Sequence, residues 1–172
     1  GTASTMVLTA SLAGSDPGQF SITNDGCSTL ALVAGGSCLV RGRFMPTSPG
    51  SKAAMLSVSD GTLSATASLT GTGLAPGALT ITPATQDFST VVTGQMSPEF
   101  TFTVQNTGGV ATGAVTMALS EPSYTFSMNG CSAALAPTAT CTVRVRLVPT
   151  TTGSKVGSLT ATATPGGTGA AQ

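Results

Sequence analysis

The sequence predicts an all-β protein: two tandem antiparallel β-sandwich domains, the first lacking its N-terminal strands. Three observations lead there. Apolar and polar residues alternate with a period of two, a long internal repeat recurs at an offset of 103, and no stretch carries a helical stripe. The 172-residue chain carries six basic and six acidic residues, no His and no Trp. Only 7% of it is charged, against about 25% in an ordinary globular chain. Six cations cannot form the Lys/Arg footprint that phosphate backbones require, so no nucleic-acid partner is expected. Without imidazole, Ser-His-Asp and Cys-His catalysis are excluded, as are most zinc sites. The expectation is a non-enzyme with no cofactor. A hydrophobic fraction of 40% at zero net charge argues against disorder.

The strands read off in order along the best-patterned stretch. Phe100, Phe102 and Val104 alternate with Thr101, Thr103 and Gln105. Val115, Met117 and Leu119 alternate with Thr116 and Ala118, and Cys141, Val143, Val145 and Leu147 alternate with Thr142, Arg144 and Arg146. Each run predicts one buried and one wet face, and the turn signals NTGG, SEPS and TTTGS separate them. No helical stripe competes, and Thr and Val suit strands. About seven short strands per hundred residues correspond to an immunoglobulin-like antiparallel β-sandwich. The Trp that antibody domains pack against their disulfide is missing, so an antibody-type domain is not expected.

The repeat sets the domain organisation. SCLVRGRFMPTSPGSKAAML (37–56) matches TCTVRVRLVPTTTGSKVGSL (140–159), with Cys38 over Cys141, Arg41 over Arg144, Arg43 over Arg146 and Lys52 over Lys155. Upstream, FSITNDGC (20–27) aligns with FSMNGC (126–131) through a two-residue gap, and Gly1–Leu12 lies over Gly108–Leu119. Two copies follow, 1–74 and 75–172, joined through the Gly- and Pro-bearing GTGLAPGAL at 71–79. Copy two opens with about thirty residues, 78–107, that copy one lacks, so copy one is expected to miss its first strands. Two full periods of 103 would be 206 residues, 34 more than the chain has. This predicts a working unit larger than the chain: a tandem array, or a sandwich completed by a neighbour's strand.

The string C-x(9–10)-C-x-V-R-x-R-[FL]-x-P-T-x-x-G-S-K-x-x-x-L, with F-S-[IM] before it and L-T-G-T-G closing copy one, resembles the choice-of-anchor D repeats of bacterial surface proteins. Those belong with the abnormal-spindle/Hydin-like immunoglobulin folds. The resemblance spans nearly the whole chain and is most specific over the Cys to Gly-Ser-Lys segment. It implies an extracellular, modular, often tandem protein and no catalytic residue.

Cys27 and Cys38 lie 11 apart and Cys131 and Cys141 lie 10 apart, each pair inside one copy. One disulfide per copy, closing the loop that leads into the R-x-R strand, is the simplest reading. The alternative, a four-thiolate metal site, finds no CxxC spacing to support it. Disulfides in turn point to an oxidising, extracellular or cell-surface location. Arg41 and Arg43, like Arg144 and Arg146, stand two apart and project from one outward strand face. That face is either a stripe for an anionic glycan or surface protein, or a charged strand that suppresses unwanted pairing. Lys52 and Lys155 are candidates for isopeptide bonds only if one of Asn24, Asn106 or Asn129 lies beside them. The six acids, Glu99 among them, read as scattered turn residues without a calcium loop. The phenylalanines and Tyr124 read as core. No run reaches the about 18–20 apolar residues of a membrane span, and GTASTMVLTASLAG lacks the basic start of a signal peptide. The expected function is a structural repeat unit of an extracellular bacterial filament, stalk or surface layer. Its partners would be copies of itself or adjacent repeats. The alternative is an adhesin-type module that binds glycan or protein through loops or the Arg face.

Overall fold

The computed structural model describes residues 3–172. Gly1 and Thr2, where the upstream repeat match begins, lie outside the described residues. The chain divides into two compact units, Gly1–Leu74 and Ala75–Gln172. Every strand pairing is antiparallel, and the helical content of the described residues is one 3₁₀ turn at Pro17–Gln19.

The first unit holds β1 (Thr9–Ala13), β2 (Phe20–Asp25), β3 (Val40–Phe44), β4 (Gly50–Ser59) and β5 (Ser64–Gly73). They make a three-stranded sheet, β1-β4-β5, and a two-stranded one, β2-β3. The β4–β5 hairpin is ten residues a side, and Gly61, at φ +92°, supplies the left-handed residue its turn requires. Farther along, Gly71 passes against the Phe44 ring. A Cβ there would sit 2.7 Å from it, so any larger residue would have to push the ring aside.

The second unit holds β6 (Leu79–Thr82), β7 (Phe100–Asn106), β8 (Thr116–Leu119), β9 (Tyr124–Asn129), β10 (Thr140–Leu147), β11 (Leu159–Ala163) and β12 (Gly167–Ala171). Its sheets run β6-β7-β10-β9 and β12-β11-β8. Alternation places Phe102, Val104, Val143, Val145 and Leu147 of one sheet and Leu159, Ala161 and Ala171 of the other in a single buried cluster. Asn106, fully buried, ends β7 inside this layer. Its Oδ1 accepts from the backbone N–H groups of Ala78 (3.1 Å) and Gly108 (2.9 Å), and its Nδ2 donates to the carbonyls of Val110 (2.8 Å) and Leu135 (3.0 Å). All four hydrogen-bonding positions of the amide are used, which is what permits a carboxamide there.

The ladders show how the copies correspond. Leu12 faces Leu56 as Leu119 faces Leu159, in agreement with the upstream repeat match. The FSITNDGC match needs correction. Phe44 pairs with Phe20 while Leu147 pairs with Tyr124, and Gly42 pairs with Ile22 while Val145 pairs with Phe126. Phe20 therefore corresponds to Tyr124, not Phe126, and YTFSMNGC lies over FSITNDGC without a gap. A slip of two residues keeps every side chain on its own face, so sequence pattern alone cannot resolve it; the ladder does. By the same correspondence β1, β2, β3, β4 and β5 answer to β8, β9, β10, β11 and β12. Among the described residues, β6 and β7 have no counterpart in the first unit.

That difference is visible in burial. The buried cluster lies wholly in the second unit, whereas the buried hydrophobics of the first are Leu8, Cys27 and Ala54. Among the described residues, nine large hydrophobics are exposed in the first unit, from Met6 to Leu74, against four in the second.

Candidate functional site

The cysteines pair as the spacing suggests: Cys27 with Cys38 (S–S 2.04 Å) and Cys131 with Cys141 (2.00 Å). Cys27 and Cys131 are both buried. In each copy an Asx turn precedes the first cysteine, with the Cys27 N–H donating to Asp25 (3.0 Å) and the Cys131 N–H to Asn129 (2.9 Å). The following strand is tied back in the same way, Gly26 N–H donating to the Leu39 carbonyl (2.9 Å) and Gly130 N–H to that of Thr142 (3.0 Å).

The lysines are also twins, though not in the isopeptide sense. Lys52 Nζ donates to Ser48 Oγ (2.9 Å) and Lys155 Nζ to Thr151 Oγ1 (2.7 Å), each in the loop before its own strand and with no Asn among the bonded partners. Asn106 is occupied in the core contacts described above.

At the arginines the copies part. On β10, Arg144 and Arg146 lie on the outer face and both reach Glu99, the residue before β7. Arg144 Nη1 is 3.4 Å from Glu99 Oε2, and Arg146 Nη2 forms a short contact with Oε1. Arg146 Nη1 also approaches Met96 Sδ (3.8 Å). Partial burial pushes the Glu99 carboxyl up, but the Arg146 hydrogen bond and charge, the Ser127 hydroxyl and Arg144 outweigh it. The carboxyl is held below its ordinary value. By sequence alone Glu99 belongs with the scattered turn acids. The spacing of EFTFTV puts the acid on the outward phase of its strand, and the pairing of that strand with β10 brings it to R-x-R. On β3, Arg41 and Arg43 are exposed, and no carboxylate among the described residues forms an ion pair with either.

The edges explain the contrast. In β10 the Gly130–Thr142 bond shows that even-numbered residues turn their backbone toward β9. Val143 and Val145 turn theirs toward β7, opposite Phe102 and Phe100, and at the strand's end Leu147 exchanges bonds with Ser97 (N–H to Oγ 3.0 Å; Ser97 N–H to carbonyl 2.9 Å). In β3 the bonds Gly26–Leu39 and Met45–Gln19 direct residues 39, 41, 43 and 45 toward β2. Val40, Gly42 and Phe44, the counterparts of Val143, Val145 and Leu147, therefore point their N–H and C=O groups to the other edge, where β2-β3 ends.

Beneath this edge the space between the sheets is open. One cleft of about 470 Å³ is lined by Leu12, Phe20, Val40, Phe44, Leu56 and Leu69 among others, with Phe20 and Phe44 stacked at a tilt (centroids 5.0 Å apart). A second, about 490 Å³, runs on past the same Val40 and Leu56 to Leu8, Val58 and the Cys27–Cys38 disulfide. Val143 and Leu159, the counterparts of Val40 and Leu56, are 0% and 4% exposed. In the second unit the aromatics fill that space as expected, Phe88 meeting Phe100 edge-on (4.9 Å) and Tyr124 at a tilt (5.1 Å). The Tyr124 hydroxyl donates to the Lys155 carbonyl (3.0 Å), and burial, then the Glu121 and Asp87 charges, raise its pKa. Among the described residues no helix is long and apolar enough to cross a membrane.

No family model and no curated protein matches the chain. Among solved structures, a protein of unknown function from Porphyromonas gingivalis W83 aligns over 97% of this chain and 85% of its own, at 13% identity and a TM-score of 0.37. A likeness that low carries no argument about fold or function.

Proposed function

We propose that the chain is a non-enzymatic structural repeat module of an extracellular bacterial filament, stalk or surface layer. Each unit is read as an immunoglobulin-like β-sandwich, and its partners are copies of itself or adjacent repeats. The observation that carries this reading is that one module is built twice in succession down to its small contacts. Disulfide, Asx turn, tied-back strand and lysine–hydroxyl bond all recur at corresponding positions. Reuse of a template at this level is how repeat architectures extend, each module meeting its neighbours through the same surfaces. Disulfides suit an oxidising exterior, and the resemblance to choice-of-anchor D repeats supports the same location.

The adhesin reading is weaker. Of its four arginines, Arg144 and Arg146 are already engaged by Glu99, which leaves Arg41 and Arg43 for an outside anion. Electron microscopy of the purified chain over a wide concentration range tests the proposal: end-to-end assemblies are expected, and dispersed monomers at every concentration refute it. Retention on an anionic glycan array, lost in an Arg41→Ala/Arg43→Ala variant, would favour the adhesin instead.

A further inference from the structure

We infer that the open edge of β3 in the first unit is an acceptor site for one kind of partner. That partner is an extended polypeptide segment patterned like β7, with apolar side chains at alternate positions and a carboxylate one residue ahead of the first. This deepens the repeat-module reading and rests on it.

The second unit shows the occupied form of the site. There β7 lies antiparallel on β10 with Phe100 opposite Val145, Phe102 opposite Val143 and Val104 opposite Cys141. Phe102 and Val104 are 4% and 0% exposed, and Glu99 lands between Arg144 and Arg146. The first unit repeats the receiving half of this arrangement. Val40, Gly42 and Phe44 present a free row of backbone donors and acceptors, which is the requirement for adding a strand. Transferred through the repeat, Phe102 of the incoming strand falls opposite Val40, over the junction of the two open clefts. Phe100 falls opposite Gly42, where the bulk of Val145 is missing. The carboxylate then falls beside Arg43, with Arg41 next along the same face, and these two cations have no acid of their own among the described residues. Shape, backbone edge and charge specify the same ligand. An anionic glycan would meet only the last of the three.

The probe is a synthetic peptide with the sequence of residues 97–106, SPEFTFTVQN, added to the 172-residue chain. The expected result is saturable binding that slows amide exchange at Val40, Gly42 and Phe44. Three controls make the outcome specific. N-methylation of the peptide at Phe100 and Phe102 keeps every side chain but blocks the ladder bonds to β3, and it should abolish binding. Glu99→Lys in the peptide should weaken binding about three- to fivefold, the scale of an exposed ion pair. The same peptide should recover affinity against an Arg41→Glu/Arg43→Glu chain, whose surface changes leave the core untouched. Failure to bind, binding that survives N-methylation, or a charge swap without rescue each overturns the inference. Assembly by electron microscopy is read separately. Filaments without peptide binding sink the acceptor site and leave the repeat-module reading standing; binding without any assembly does the reverse.

Discussion

Replacing Asn106 by Ala should destabilise the second unit severely, by an amount that follows from its four hydrogen bonds. With the carboxamide gone, the N–H groups of Ala78 and Gly108 lose their acceptor and the Val110 carbonyl loses its donor. The Leu135 carbonyl keeps the Thr112 N–H at 2.9 Å. Three backbone groups, that of Gly108 buried and those of Ala78 and Val110 part-buried, are left unpaired, at about 1–3 kcal/mol each where water is kept out. Water entering the vacated space satisfies part of this, so the lower end applies and the loss is about 3 kcal/mol. That is a large share of a domain's usual total of about 5–15 kcal/mol. The assay is urea unfolding followed by tyrosine fluorescence. Tyr124 is the chain's single Tyr and there is no Trp, so the signal reports the second unit alone. A stability loss below about 1 kcal/mol, with an unchanged denaturant slope, would refute the satisfied-amide account of β7's end.

Other predictions concern the copies side by side. Removing the Cys131–Cys141 bridge (Cys131→Ser/Cys141→Ser) should lower stability in the same assay by about 2.5–3 kcal/mol, the chain-entropy value for a loop of that length. Removing Cys27–Cys38 should leave the Tyr124 transition where it was; a shared response would show that the units do not unfold independently. In dilute solution, amide exchange should be much faster at Val40, Gly42 and Phe44 than at Val143, Val145 and Leu147, and equal protection would contradict the open edge. Asp60 accepts from the Leu63 and Thr62 N–H groups (2.7 and 3.0 Å) and from that of Met6, which holds its carboxyl down to about 2 from 3.8. Because the folded value is the lower one, the support this turn lends the β4–β5 hairpin is present above pH 3.8 and fades as the pH falls toward 2. A carboxyl resonance titrating at an ordinary aspartate midpoint would disprove it.

The strands, the two-copy organisation and the cysteine pairs were legible because they are local or repeated. Alternation along Cys141–Leu147 declares a strand whatever it pairs with, and identical spacing in two copies declares a module. The partners were not legible. Glu99 and Arg146 are 47 residues apart, and nothing local in either says that β7 will bring them together. The two-residue slip that sets Phe126 rather than Tyr124 over Phe20 has the same origin, since alternation is blind to even shifts.

The sequence by itself determined an all-β chain of two related, disulfide-closed units, since period, turn residues and repeat spacing are properties of short segments. Tertiary structure alone decided which strand edges are satisfied. That depends on what lies beside a strand rather than within it, and so β10 and β3, nearly the same in sequence, end as a core strand and an open edge.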